Sequence, residues 1–154
     1  PESRADMLPR MEQASRERGL KPLGAAVRTA ADVDAAIAQA VRERACGINI
    51  LESTFLGALH GHILQRAREA RLPAMGQWPE MAAQGAVLAY GPSRRAMNHQ
   101  AMAIVARVLR GTKPGDIPIE APLRIDLVIN LREARAIGLT LPAALLARAD
   151  EVIE

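Results

Sequence analysis

The chain has 154 residues, enough for one ordinary domain with a buried core. Hydrophobic residues make up 49% and charged residues 24%, which excludes a disordered, charge-dominated chain. Twenty Lys and Arg oppose seventeen Asp and Glu, and the Arg residues lie beside acids, as in Arg42-Glu43-Arg44 and Arg66–Glu69, so no basic stripe with interleaved aromatics marks a nucleic-acid surface.

In chain order, Leu8, Met11, Ala14 and Ser15 form a weak stripe that predicts a helix over 7–18. Asp6 would be its N-cap, with Pro9 in the first turn, where a missing N–H costs little. Gly19 stops it. Leu20 to Val27 reads as a short strand, edge or irregular because of Pro22 and Gly24. Thr29 or Asp32 opens the next helix, whose face is Val33, Ile37, Ala40 and Val41. Gly47 to Leu51 is an apolar run of strand length. Ser53 caps an amphipathic helix carrying Phe55, Leu56, Leu59, Ile63 and Leu64, in which Gly57 and Gly61 read as points of close approach to a sheet. Leu72 to Met75 is another short strand, followed by a one-turn helix from Pro79 and a stop at Gly85. Ala86 to Tyr90 is again a strand. Ser93 caps a long helix with the stripe Met97, Ala101, Ile104, Val105 and Val108, ending at Gly111. After a turn-rich connector over 112–116, Leu123 to Asn130 is the clearest strand, with Leu123, Ile125, Leu127 and Ile129 on one face. A short helix over 131–137 ends at Gly138, and a last one starts near Pro142.

Strands alternating with helices of this length predict an α/β fold: three layers, with a mostly parallel open sheet and helices on both faces. The series opens on a helix rather than a buried strand and at Pro1 without an initiator Met, so an upstream part is expected. No signal peptide and no apolar run of the ~20 residues that span a bilayer is present in these residues.

Motif chemistry narrows the field. Phosphate-cradling and nucleophile-elbow patterns are absent, which argues against an enzyme of those classes. His60 and His62 project ~200° apart around their helix and cannot share a metal, and His99 has no ligand at metal spacing. No metal and no cofactor are expected. Cys46 reads as a small core residue before a buried strand. In parallel α/β sheets, ligands gather beyond the carboxyl ends of strands. Those ends carry Glu52-Ser53-Thr54, Gly76-Gln77-Trp78 and Tyr90-Gly91-Pro92-Ser93. The candidate ligand-binding residues are therefore Glu52, Ser53, Thr54, Gln77, Trp78, Tyr90 and Gly91. Ser53 and Ser93 also sit at helix N-termini, where free N–H groups attract anions; the plainer reading is that they only cap their helices.

The segment Ala89-Tyr90-Gly91-Pro92, the stretch Val108 to Glu120 and the close from Leu127 to Glu154 resemble the substrate-binding components of bacterial ABC transporters, with a type I two-lobed periplasmic fold. The resemblance is looser but collinear from Pro1 to Gln77. Members are about twice this long, so it implies the C-terminal half, without the signal sequence, the N-terminal lobe and one strand. It implies that 1–84 belong to the C-terminal lobe, that 85–113 cross to the N-terminal lobe, and that 114–154 return. It also implies non-catalytic capture of a small solute in an interlobe cleft, with an amino acid among the candidates, and delivery to ABC permease subunits. The setting would be the periplasm, or a lipid anchor outside the inner membrane. Self-association of the chain alone is a further expectation. The alternatives are an α/β enzyme, a receiver-like signalling domain or a non-functional remnant. A receiver would need paired acids at strand ends, whereas the apolar runs end in Glu52, Gln77, Tyr90 and Asn130.

Overall fold

The computed structural model describes residues 2–51, 53–122 and 124–154. In chain order it runs α1 (Glu2–Glu17), α2 (Ala30–Arg42), β1 (Ile48–Asn49), α3 (Thr54–Glu69), β2 (Ala74–Gly76), α4 (Glu80–Ala83), β3 (Leu88–Gly91), α5 (Arg94–Leu109), β4 (Asp126–Asn130), α6 (Leu131–Ala136), α7 (Ala143–Leu146) and β5 (Glu151–Ile153), with one 3-10 turn at Pro114–Asp116. The strands join in one sheet in the order β1-β2-β3-β4-β5. The pairs β1–β2, β2–β3 and β4–β5 are parallel, and only β3–β4 is antiparallel. The expected mostly parallel α/β sheet is therefore the observed one. Its antiparallel pair lies where the chain leaves the sheet at Gly91 and re-enters beside it at Asp126.

The core grows from the faces that local signals orient. Thr29 closes a full capping box on α2, its hydroxyl taking the Asp32 N–H while the Asp32 carboxylate takes the Thr29 N–H. That start places Val33, Ile37 and Ala40 inward, against Ile63, Leu64 and Ala67 of α3 and Ala74 of β2. Ala82, Ala86 and Ala89 are fully buried beside them. With only 2% aromatic residues, the layers meet through Ala and branched aliphatics, each large apolar side chain contributing about 1.5–3 kcal/mol by burial. Of the buried polar residues among those described, Asn130 and Glu133, Asn130 is the fully buried one. Its Nδ2 donates to the Ala82 carbonyl at 2.7 Å and its Oδ1 accepts the Glu133 N–H at 3.0 Å, so it caps α6 and ties β4 to α4. Outside the core, Asp34 of α2 bonds both His62 and Arg66 of α3, which gives His62 a structural role.

Several local expectations are corrected. The first helix begins at Glu2, so Asp6 lies inside it and Pro9 sits in its interior rather than its first turn. Residues 20–28 form no strand, because a strand exists only by pairing and nothing described pairs with them. Val41 is exposed, as it lies on the flank of α2 that faces water. Cys46 is exposed in the turn before β1, not buried. Gly57 and Gly61 meet open space where a Cβ would stand, so neither marks a close helix–sheet approach. Of the alternating face in the last long strand, Ile129 is fully buried and Ile125 exposed, since β4 begins only at Asp126; Leu123 lies outside the described residues. The strand β5 was not anticipated. It is held by Asp150, which donates its N–H to Leu127 O and accepts the Leu127 N–H on its carboxylate, both at 2.8 Å.

Candidate functional site

A shallow depression opens at the carboxyl ends of β1, β2 and β3. It is lined by Ile50, Leu51 and Ser53 after β1, Leu56, Gly57 and His60 of α3, Gln77 and Trp78 after β2, Met81 and Gln84 from α4, and Arg94 at the start of α5. Its volume is about 90 Å³, well under the roughly 300–1,000 Å³ of sites that enclose a small molecule.

Each wall has a local cause. Ser53 ends the β1 loop in extended backbone and takes the Leu56 N–H on its Oγ at 3.0 Å, which starts α3 and turns Leu56, Gly57 and His60 toward the depression. Thr54 is the first residue of α3, exposed and outside the lining. Ser93 likewise caps α5 through the Ala96 N–H at 3.3 Å, and its hydroxyl donates to Glu80 Oε1 at 3.4 Å. Both serines therefore cap. Gly91 is buried, and a Cβ there would stand 1.9 Å from the Gln77 carbonyl oxygen. Its lack of a side chain lets the end of β3 pass directly against the Gln77-Trp78 backbone. Tyr90 is half exposed and pairs with Leu127 on the sheet face opposite Ala89 and the core, away from the depression. Of the sequence candidates, the structure thus brings together Ser53, Gln77 and Trp78, with Gly91 as their backbone neighbour. Glu52 lies outside the described residues.

The charges here converge on Arg94. Its guanidinium lies 5.8 Å from the Trp78 ring centroid, within cation–π range, and its Nε stands 3.9 Å from Glu80 Oε2. Neither Arg94 nor Glu80 was singled out by sequence reasoning. His60 was set aside with the other histidines, although it falls on the Leu56 face of α3, one turn on, and that spacing was readable. Burial first, and then the charge of Arg94, hold the His60 imidazole below its ordinary pKa, which favours the neutral ring. Among the described residues no group of three His, Cys, Asp or Glu could hold a metal ion. No helix there is long and apolar enough to cross a membrane.

A mostly parallel sheet with its concavity at the strand ends, beside a paired exit and re-entry of the chain, is the architecture of one lobe of a periplasmic-binding-protein-like fold. The sequence pattern of the ABC transporter substrate binding protein family matches residues 3–153, and the chain belongs to that family. Three solved structures are similar. A conserved domain protein from Vibrio cholerae has a TM-score of 0.83 at 26% identity, over 96% of this chain and 50% of that one. An ABC domain from Streptococcus pneumoniae in complex with L-Trp has 0.82 at 17%, over 97% and 50%. A ligand-free, open substrate binding protein with adhesive properties from Clostridium difficile has 0.66 at 14%, over 98% and 50%. This chain therefore spans about half the length of each. No curated protein matches it.

Proposed function

We propose that this chain forms one lobe and the crossover of a solute-capture protein serving an ABC importer, acting by binding rather than catalysis. The observation that carries the reading is the depression at the strand ends, with Trp78 and Arg94 on its wall, adjoining the point where the chain leaves and re-enters the sheet. Opposite it, a second lobe would supply the remaining wall, and hinge closure over the solute would follow the ligand-shifted balance of open and closed states. On this reading residues 1–91 and 126–154 make the lobe, because β3 pairs with β2 and β4 inside its sheet and Ala86 and Ala89 lie in its core. The boundary expected at 85 therefore moves to Gly91, and α5 and the segment after it belong with the opposite lobe. Two observations support that division: α5 has no buried residue among those described, and Gly91 and Asp126 are register partners. The complex of one similar structure with L-Trp makes amino acids the first solutes to test. Partnership with permease subunits and a periplasmic or lipid-anchored setting belong to the same proposal and rest on family membership.

The test is calorimetry on the complete two-lobed protein against L-amino acids and small organic acids. Saturable binding in the micromolar range or tighter is expected. Absence of binding across the panel overturns the proposal.

A further inference from the structure

We infer that His60 is a solute-contacting residue of the depression, its Nε2 meeting an oxygen of a small hydroxyl- or carboxylate-bearing solute whose apolar part lies against Trp78. This rests on the binding function proposed above. The starting point is an unsatisfied atom: His60 Nε2 is sealed from solvent and has no hydrogen-bond partner among the described residues. A buried polar atom left without a partner is costly, so native structures rarely carry one without a reason. The side chain borders the depression, with Leu56 and Gly57 on the preceding turn of α3 lining it as well. The His60 side chain therefore borders the cavity a solute would fill, with its Nε2 covered while the depression is empty.

The surroundings define the group it would meet. The charged residue lining this corner is Arg94, from the start of α5, and Glu80 of α4 stands beside it, 3.9 Å from its Nε. Arg94 is near enough to bias His60 against taking up a proton. An oxygen brought here is accommodated by Arg94 and by His60 Nε2. Glu80 Oε2, also without a hydrogen-bond partner among the described residues, adjoins Arg94 and suits a solute that carries a donor as well. A neutral imidazole offers Nε2 as donor to a carboxylate or as acceptor from a hydroxyl, according to tautomer. The apolar remainder of the solute would meet Ile50, Leu56, Met81 and the Trp78 ring. Polar specificity would then come from a helix residue, while the loops after β1 and β2 supply the shape.

The experiment titrates the complete protein and its variants His60→Leu and His60→Gln with L-amino acids, short hydroxy acids and short carboxylic acids, with melting curves as a check on folding. Expected is a loss of about tenfold in affinity for His60→Leu, with most of it restored by His60→Gln, whose amide keeps a donor and an acceptor. Equal affinity in His60→Leu overturns this inference and leaves the proposed function standing. Failure of every solute to bind the unaltered protein overturns both. If His60→Leu does not fold, ring-nitrogen NMR of the unaltered protein decides. A His60 Nε2 resonance that moves on saturation supports the contact, and one that stays still overturns it.

Discussion

Gly91→Ala isolates one close approach in the site. Ordinary contact begins near 3.4 Å, and a Cβ at position 91 would stand 1.9 Å from the Gln77 carbonyl oxygen and 2.9 Å from its carbon. The strand end or the Gln77-Trp78 backbone must therefore give by about 1.5 Å. The obstacle is main chain rather than the tip of a flexible side chain, so rotamer change cannot relieve it. Overpacking of this kind costs about 1–3 kcal/mol. For a chain of this size each kcal/mol moves the melting point by about 2–4 °C, so a fall of about 2–12 °C is expected in thermal melts followed by circular dichroism. Trp78 adjoins the displaced carbonyl, and its emission should shift in the folded variant. Gly61→Ala is the control: it meets open space in α3, and gain of helix propensity should raise stability by about 1 kcal/mol. A Gly91→Ala melting point within about 1 °C of the parent, with unchanged emission, would refute the argument.

Trp78 is the single tryptophan, so solute binding by the complete protein should change its emission; Trp78→Ala with unchanged affinity would remove it from the site. Asn130→Ala leaves the Ala82 carbonyl and the Glu133 N–H without their buried partner, and a loss of about 1–3 kcal/mol should appear in denaturant unfolding. The Asp32 carboxyl is held below the ordinary carboxylate range, by the Arg28 backbone N–H first and then by the Thr29 hydroxyl and N–H. Its stabilisation is therefore present above the unfolded-state pKa and lost as pH falls through the lower folded one, so melts of Asp32→Ala should be less acid-sensitive than those of the parent. The chain alone should associate through α5 in sedimentation runs; a clean monomer with fast amide exchange over 97–108 would count against the lobe assignment.

Legibility followed locality. The starts of α2, α3 and α5 were readable because Thr29, Ser53 and Ser93 act within three residues of themselves. Gly19 was readable as a stop because its φ of +72° is a conformation few other residues adopt. Pairing is different in kind. Residues 20–27 include apolar residues but have no pairing neighbour among those described, whereas Glu151–Ile153, too short a run to stand out, form β5 because Asp150 docks them on β4. The site divided the same way. Ser53, Gln77 and Trp78 follow from the rule that strand ends face ligands. Arg94 and Glu80 meet only because the first turn of α5 comes down on α4, a tertiary fact that no window of sequence contains.

The condition of α5 bears most directly on the lobe assignment. A helix of 16 residues with no buried side chain among those described has little reason to persist alone, since isolated helices of about this length are marginal in water. Met102 and Leu109 stand 64% and 81% exposed, with Val105 at 45%. Beyond the first turn, the tertiary side-chain bonds of α5 among the described residues are polar, from Gln100 and Arg107 to Glu120 and from Gln100 to the Ala121 carbonyl. Each exposed aliphatic forgoes about 1.5–3 kcal/mol that burial would provide. A sequence that places Met97, Ile104, Val105 and Val108 at helical spacing, yet leaves all four only part covered, fits a surface supplied from elsewhere. The start of α5 is meanwhile fixed to the lobe by Ser93 on Glu80 and Arg94 over Trp78. On the proposed reading, the helix that packs on the opposite lobe is therefore anchored at its first turn to the wall of the solute site. Movement between the lobes and occupancy of the depression would then act on the same few side chains.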